Sequence, residues 1–232
     1  MTASDLPSFT GPVGVFPLPN TVLFPGATLP LHIHEPRYRS MVRDALADEA
    51  VIAMALLRPG YEAYYYTNRA GIHPVVCVGR IREHVRIPDG RYFINLLGLC
   101  RARVRQEDRH GEYRLAMLEP MIRTESGIEA DGEYAARESL RRVLSLPAFD
   151  AIDGIEIFRM HVDSEVSLGT VVDGIASGLL PAENVEIRQR LLEEMNALRR
   201  AEALLPELAI LRATLEMRQR SQSTWPRFGP MN

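Results

Sequence analysis

The hydrophobic pattern of this 232-residue chain changes its period once, near residues 123–132. Before that stretch, apolar residues alternate with polar ones or form short runs between turns, as Leu29, Leu31 and Ile33 do. This is the pattern of β-strands. After that stretch, apolar residues recur at the spacing of amphipathic helices. We therefore predict an α+β chain in which a β-rich domain precedes an α-helical bundle.

The predicted domain bounds follow from this change of period and from the segments around it. Residues 13–122 form the β-rich domain, and residues 133–218 form the helical bundle. The polar, glycine-containing residues 123–132 link the two. Residues 1–12 form an N-terminal extension. Residues 219–232 form a C-terminal tail that we expect to be mobile, because little periodicity remains there.

Within the β-rich domain, strands are predicted at residues 29–33, 51–57, 75–87, 92–97, 99–105 and 113–118. Pro30 favours an edge position for the first strand, because proline cannot donate to a neighbouring strand. A short amphipathic helix begins at Pro36 and packs one face on the sheet, formed by Tyr38, Met41, Val42, Ala45 and Leu46. A turn at residues 88–90, Pro-Asp-Gly, makes a hairpin of the strands on either side of it.

Helices are predicted at residues 133–146, 152–163, 168–180 and 184–205. Pro147 and Pro181 end helices, because proline removes a hydrogen-bond donor and clashes with the preceding turn. For the same reason, we expect Pro206 to kink or restart the last helix, which then continues to about residue 218.

The composition excludes several functions. All 27 basic residues are arginine, so the chain contains neither the lysine of a phosphate-binding P-loop nor that of a Ser-Lys peptidase dyad. No signal peptide or long apolar run is present, which predicts a cytoplasmic protein without a membrane span. Cys77 and Cys100 lie in apolar segments and are read as buried free thiols.

Three blocks of sequence resemble one known family. Residues 15–38 read VFPLPNTVLFPGATLPLHIHEPRY. Residues 78–81, 88–90 and 97–104 form a second, glycine- and arginine-containing block. Ile175-Ala176 and residues 188–193, RQRLLE, form the third. In this order the blocks resemble the substrate-binding amino-terminal domain of Lon proteases. The chain departs from the family pattern at His34, where an aromatic residue is common, and at Arg188, where lysine is usual.

The resemblance implies both a fold and a function. The fold is a PUA-like pseudo-barrel followed by a helical bundle, and the function is recognition of unfolded or extended polypeptides. The ATPase and peptidase that follow this domain in Lon are expected to be absent, so the chain is predicted to be a non-catalytic adaptor without a cofactor. A protease or a chaperone is its expected partner.

Tyr64, Tyr65 and Tyr66 are candidate residues for binding a peptide or a partner. Three consecutive aromatic side chains cannot all be buried on one face, so at least one ring is expected at the surface. Exposed tyrosine offers a large contact area at low entropic cost. The alternative interpretation is that these are ordinary surface tyrosines.

Arg101, Arg103 and Arg105 alternate with apolar residues and form a possible basic face. On a PUA-like barrel, such a face could follow the phosphate backbone of RNA. The favoured alternative is that these arginines pair with carboxylates of the helical bundle, because the chain has a net charge of -3 and the stripe lacks interleaved aromatics. Nucleic acid is therefore the less favoured ligand.

Neither a catalytic site nor a metal site is predicted. His32 and His34 point to one face of a strand beside Glu35, but a third ligand is missing from this group. No G-x-S-x-G or HExxH motif occurs in the sequence.

Overall fold

The structure, a computed structural model, describes residues 11–121 and 130–224. The predicted N-terminal extension, linker and tail therefore lie partly outside the described residues. Among the residues described, no helix has both the length and the apolar character that a membrane crossing requires.

Six strands form one mixed sheet. They are β1 (Val13–Leu18), β2 (Thr28–Ile33), β3 (Val51–Leu56), β4 (Val75–Arg86), β5 (Tyr92–Asp108) and β6 (Arg114–Pro120). Their order across the sheet is β2, β5, β4, β3, β1 and β6. The strands β1 and β3 pair in parallel, whereas the other pairs are antiparallel.

The sheet closes into a barrel because β5 is long enough to pair with three strands. Its first part pairs with β2 and β4, and its last part pairs with β4 and β6. Since β6 also pairs with β1, the strands β1, β3, β4, β5 and β6 form a ring. The β-rich barrel and the α+β class are thus confirmed. The barrel interior is apolar, with buried residues such as Val15, Ala53, Val78 and Ala102.

The two strands predicted at residues 92–97 and 99–105 are parts of the single strand β5. Gly98 lies between them and allows a close approach of the chain. A Cβ atom at Gly98 would lie 2.1 Å from the carbonyl oxygen of Phe24, so only glycine fits there. The glycine that looks like a break in the sequence is thus a point of contact within a continuous strand.

Helix α1 (Pro36–Leu46) follows β2 directly and has proline in its first turn, as predicted. Tyr38, Met41 and Val42 are its buried residues. The turn at residues 88–90 is also confirmed: Gly90 has a φ of +84° and donates its N–H to the carbonyl of Ile87. Glycine adopts this left-handed conformation without the strain that a Cβ atom causes.

Five further helices follow. They are α2 (Ala130–Leu144), α3 (Ile155–Asp163), α4 (Leu168–Gly178), α5 (Val185–Glu193) and α6 (Ala197–Thr224), and a 3-10 turn, Pro147–Ala151, lies between α2 and α3. Helix α2 packs on α3 and α6. The buried side chains of this part include Leu140, Leu144, Phe149, Leu204 and Leu208.

The expected restart of the helix at Pro206 is wrong, whereas the expected kink there stays a prediction. The chain breaks earlier, at residues 194–196, and α6 passes through Pro206 without interruption. Asn196 starts α6, because its side-chain oxygen accepts the N–H of Arg199 at 3.1 Å. Leu204 and Leu208 are both fully buried, so packing before and after the proline holds the helix together.

The chain divides into two compact units. Met1–Ser126 and Asp173–Met195 form one unit, and Gly127–Val172 and Asn196–Asn232 form the other. The first unit therefore contains the strands, α1, α5 and the second part of α4. The bounds of successive domains at residues 13–122 and 133–218 remain predictions.

Candidate functional site

Three exposed side chains form a row across the strands β2, β5 and β4. His32 lies opposite Phe93, and Phe93 lies opposite Val85. We call these three residues the sheet row. Phe93 is 49% exposed and Val85 is 60% exposed, although Tyr92 and Ile94 on either side of Phe93 are buried. Since successive side chains point to opposite faces of a sheet, the row lies on the face opposite to Tyr92 and Ile94.

The hydrogen-bond pattern explains why His32 and Phe93 are in close contact. Gly98 donates its N–H to the carbonyl of Ala27 at 2.8 Å, so the Ala27 carbonyl points towards β5. By the alternation of an antiparallel ladder, His32 and Phe93 form a non-hydrogen-bonded pair, in which side chains approach most closely. Their rings stack with centroids 4.6 Å apart and an angle of 13° between the planes.

Strand β2 lies at the end of the strand order, as its proline predicts, and has one outer edge. The same alternation directs the main-chain groups of Thr28, Pro30 and His32 towards this edge. No other strand in the described ranges pairs with it. Because Pro30 lacks an N–H, the edge offers carbonyl acceptors at all three positions but donors only at Thr28 and His32.

The tyrosine loop, residues 61–66, is a second exposed aromatic group. Tyr64 is 48% exposed and Tyr66 is 83% exposed, so the sequence prediction of a surface ring is confirmed. Tyr65 is half-buried, packs against the barrel core and meets the ring of Tyr66 edge to face at 5.0 Å. Its burial raises the pKa of the Tyr65 phenol above the usual value.

Arg37 connects the tyrosine loop to the corner between β2 and α1. Its guanidinium donates to the Glu35 carboxylate and to the carbonyl of Tyr65, the latter at 3.1 Å. The ring of His34 lies 5.7 Å from that of His32, at the end of the sheet row. Residues of this corner thus contact both the sheet row and the tyrosine loop.

The arginines of the predicted basic face differ in their surroundings. Arg101 is 3% exposed and forms a bidentate pair with Asp173, with both distances 2.8 Å. Arg105 pairs with Glu119 of the neighbouring strand β6. Arg103 is exposed. The pairing interpretation is thus right for Arg101, and the three side chains do not form a stripe of free guanidiniums.

The third sequence block connects α5 to α4 and to β4 within the first compact unit. Gln189 donates to the carbonyl of Val75 on β4 at 3.0 Å. Arg188 donates to the carbonyls of Ala176 and Leu180, each at 3.0 Å, and so satisfies acceptors at the end of α4. Burial lowers the pKa of the Arg188 guanidinium. The arginine found where lysine is usual therefore has a structural role.

Neither the histidines nor the cysteines form a reactive centre in the part of the chain that the structure describes. No group of three or more His, Cys, Asp or Glu residues there is placed to hold a metal ion. Cys77 and Cys100 are free and buried. Burial raises the pKa of the Cys100 thiol to about 11 and raises that of Cys77 further. Thiolate chemistry is therefore suppressed at both positions.

The family model of the ATP-dependent protease La (LON) substrate-binding domain matches residues 12–209 of this chain. The chain belongs to the Lon substrate-binding domain family. The resemblance read from the three sequence blocks is therefore confirmed.

Curated relatives agree with this family. The chain is 26% identical over 217 residues to a Lon protease of Anaeromyxobacter dehalogenans, covering 90% of this chain and 24% of that protein. It is 27% identical over 215 residues to Lon protease 2 of Sorangium cellulosum, covering 88% and 26%. The chain thus spans about a quarter of the length of these relatives.

Solved structures share the fold of this Lon substrate-binding domain. The Lon N-terminal domain protein from Xanthomonas campestris aligns with a TM-score of 0.59 and 23% identity, covering 84% of this chain and 98% of that one. The N-terminal domain of Mycobacterium avium complex Lon protease aligns with a TM-score of 0.64 and 16% identity, covering 86% and 98%.

Sequence reasoning missed the sheet row of this Lon domain. From the sequence, His32 lies on one strand face with His34 as a possible metal ligand that lacks a third partner, and no binding role is predicted for Phe93 or Val85. A signal was present in the turn at residues 88–90, because a tight hairpin turn fixes which residues face each other. Counting outwards from that turn places Val85 opposite Phe93. The alternation around Phe93 then places both side chains on the outer face.

Proposed function

We propose that this chain binds extended segments of unfolded polypeptides at the sheet row, and that it performs no chemical step of its own. The observation that carries the proposal is the stacked, exposed pair of His32 and Phe93 beside the outer edge of β2. An exposed aromatic side chain on a rigid strand provides a large apolar contact area at little entropic cost. Unfolded polypeptides offer the apolar side chains that such a surface fits.

The family supports polypeptide as the ligand, because its model describes the substrate-binding domain of a protease. Strand β2 adds main-chain acceptors beside the row, and an extended segment carries the matching N–H donors. Pro30 limits this pairing to part of the edge, so we infer that side-chain contacts with the row supply most of the affinity. Tyr64 and Tyr66 extend the surface beyond the β2–α1 corner.

The binding proposal is tested by fluorescence anisotropy with labelled, unfolded casein. The wild-type chain should bind, and the double variant Phe93→Ala, Val85→Ser should weaken binding about tenfold or more, as for loss of an interface hot spot. Tyr66→Ala should weaken binding less. The matched control is Ile157→Ser, since Ile157 is 54% exposed and belongs to the other compact unit. Absence of binding up to about 100 μM protein would exclude a useful affinity.

We further propose that the chain acts as an adaptor that passes its bound segment to an ATP-dependent protease or a chaperone. The curated relatives are Lon proteases, in which a matching domain is part of a much longer protein. The expected result is a changed rate of casein degradation when the chain is added to a Lon-type protease. An equal rate with and without the chain would contradict the adaptor role while leaving polypeptide binding untouched.

A further inference from the structure

A cavity of about 440 Å³ lies between helix α1 and the end of the β4–β5 hairpin. Its volume is in the range of sites for small molecules. Four guanidiniums line it: those of Arg37, Arg39 and Arg43 from α1 and that of Arg86 from β4. Glu112 is the single acidic residue of the lining. The cavity therefore has a strongly positive wall.

Two of these four arginines are already neutralised. Arg37 pairs with Glu35 at 2.9 Å and also donates to the carbonyl of Tyr65. Arg43 pairs with Asp44, also at 2.9 Å. The carboxylates of Glu35 and Asp44 balance these two positive charges, so Arg37 and Arg43 contribute less to the attraction of an anionic ligand.

The other two guanidiniums keep donors for a ligand. Arg39 donates to the main-chain carbonyl of Asp89 at 3.1 Å, which does not neutralise its charge. Arg86 lies over the ring of Tyr92, with its guanidinium carbon 5.8 Å from the ring centroid. No carboxylate of the described residues is within salt-bridge distance of either side chain. The Asp89 carboxylate is bound by Arg91, so it does not compete for Arg39.

The start of α1 adds to this positive field. Pro36 and Ser40 of its first turns line the cavity, and no acidic side chain lies in the first turn. Glu35 occupies the N-cap position without capping the helix, and its carboxylate is paired with Arg37. The N-terminal end of an 11-residue helix carries a positive partial charge. A guanidinium is planar and can donate two parallel hydrogen bonds to two oxygens of one phosphoryl group. The cavity thus combines charge, donors and a size suited to a phosphorylated molecule.

We propose that this cavity binds a small molecule through its phosphoryl group, with Arg39 and Arg86 contacting the phosphoryl oxygens. The inference goes beyond polypeptide recognition and does not depend on it. Arg86 and Tyr92 face each other one position along from Val85 and Phe93. Because side chains alternate along each strand, the cavity and the sheet row lie on opposite faces of the same hairpin.

Isothermal titration calorimetry at low ionic strength tests the proposal with three probes: inorganic pyrophosphate, ADP and succinate. We expect pyrophosphate and ADP to bind with a Kd of about 1 mM or tighter, and succinate to bind about tenfold more weakly. Equal affinity for pyrophosphate and ADP assigns recognition to the phosphoryl groups alone. Tighter ADP binding adds a contact with the organic part. Binding of succinate as tight as that of pyrophosphate would overturn the proposal, as would no binding of any probe.

Variants locate the site. Arg39→Gln and Arg86→Gln should each weaken pyrophosphate binding about tenfold, the loss expected for a charged hydrogen bond. Arg86→Lys keeps the charge but loses the fork, so its loss should be smaller. Arg103→Gln is the matched control, because Arg103 is exposed and does not line the cavity. An equal loss in the control, or wild-type affinity in both glutamine variants, would show non-specific attraction and reject the site.

Discussion

Strand β5 has two stretches with opposite character. The side chain of Phe93 is exposed and aromatic, whereas that of Arg101 is buried and charged. An extra residue between Gly98 and Cys100 shifts the register with β4, so Phe93 and Arg101 point to opposite faces of the sheet. On its own face Arg101 is covered, because the carboxylate of Asp173 and the main-chain carbonyl of Leu192 bind its guanidinium.

This comparison separates a structural region from a binding region. Buried charges and exposed large apolar groups are the informative exceptions to the usual distribution of residues. The charge of Arg101 is paired with Asp173 inside the protein, which is typical of a contact that stabilises the fold. We call this pair the anchor. The ring of Phe93 is left half-exposed on a rigid strand, which is the pattern of a contact surface. Substitutions in the two stretches should therefore affect different properties.

The largest effect is expected at the anchor. Asp173→Leu should lower the free energy of unfolding by about 3–5 kcal/mol, because it leaves the Arg101 guanidinium buried without its counter-charge. Urea denaturation followed by circular dichroism measures this loss. The double variant Asp173→Leu, Arg101→Met should be more stable than the single one, since it removes the orphaned charge. A single variant as stable as the wild type would show that the pair is not an anchor.

A smaller loss is expected at Arg188, which holds the segment that covers Arg101. Arg188→Ala should lower the free energy of unfolding by about 2–3 kcal/mol, because the carbonyls of Ala176 and Leu180 lose their donor inside the protein. Arg188→Lys should cost less, since an ammonium group can still reach part of this cluster. Urea denaturation of the two variants measures these losses of stability. A lysine variant less stable than the alanine variant would contradict this explanation.

In the exposed stretch, stability should hardly change. Phe93→Ala removes the stacking on His32 and should cost about 1 kcal/mol or less, which is the range of cross-strand pairs. The same denaturation measurement serves as the check, alongside the casein assay. If Phe93→Ala unfolded the chain as severely as Asp173→Leu, the exposed stretch would be part of the structural core, and the comparison would fail.

The smallest expected effect concerns two thiols near the anchor, those of Cys77 and Cys100, which should not react in the folded protein. Cys77 faces Arg101 across the β4–β5 pair, and burial raises the pKa of both thiols, that of Cys100 to about 11. At pH 8 both groups are therefore protonated in the folded protein, and reactivity should increase only as the pH rises towards 11. Iodoacetamide labelling followed by mass spectrometry should give no adduct in native protein and two adducts in urea. Rapid native labelling would show that this region opens locally.

The fold was largely readable from the sequence, because strands, turns and amphipathic helices depend on local patterns. The hairpin turn at Gly90 and the helix after Pro36 were placed correctly for that reason. The sequence predicts two strands on either side of Gly98 and a kink or restart of the last helix at Pro206, whereas β5 and α6 continue through these residues. In both cases tertiary packing decided the outcome: the close approach of Phe24 keeps β5 continuous, and buried leucines on both sides keep α6 helical.

The candidate site was less accessible to such reasoning. The exposure of a ring among the three tyrosines followed from local geometry and was confirmed. The sheet row also needs the pairing of β2 with β5, in which His32 and Phe93 are far apart in sequence. Pairing of this kind is set by the register of the whole sheet.

The amino-acid sequence by itself determined the family and the two kinds of secondary structure, since these follow from short-range order. Only the tertiary structure decided that Arg101 is covered and that Phe93 is exposed. The cover comes from Asp173 and Leu192, 72 and 91 positions further along the chain. The sequence around β5 contains no pattern that predicts these two contacts. Only the folded protein therefore distinguishes the buried, paired Arg101 from the exposed contact surface at Phe93.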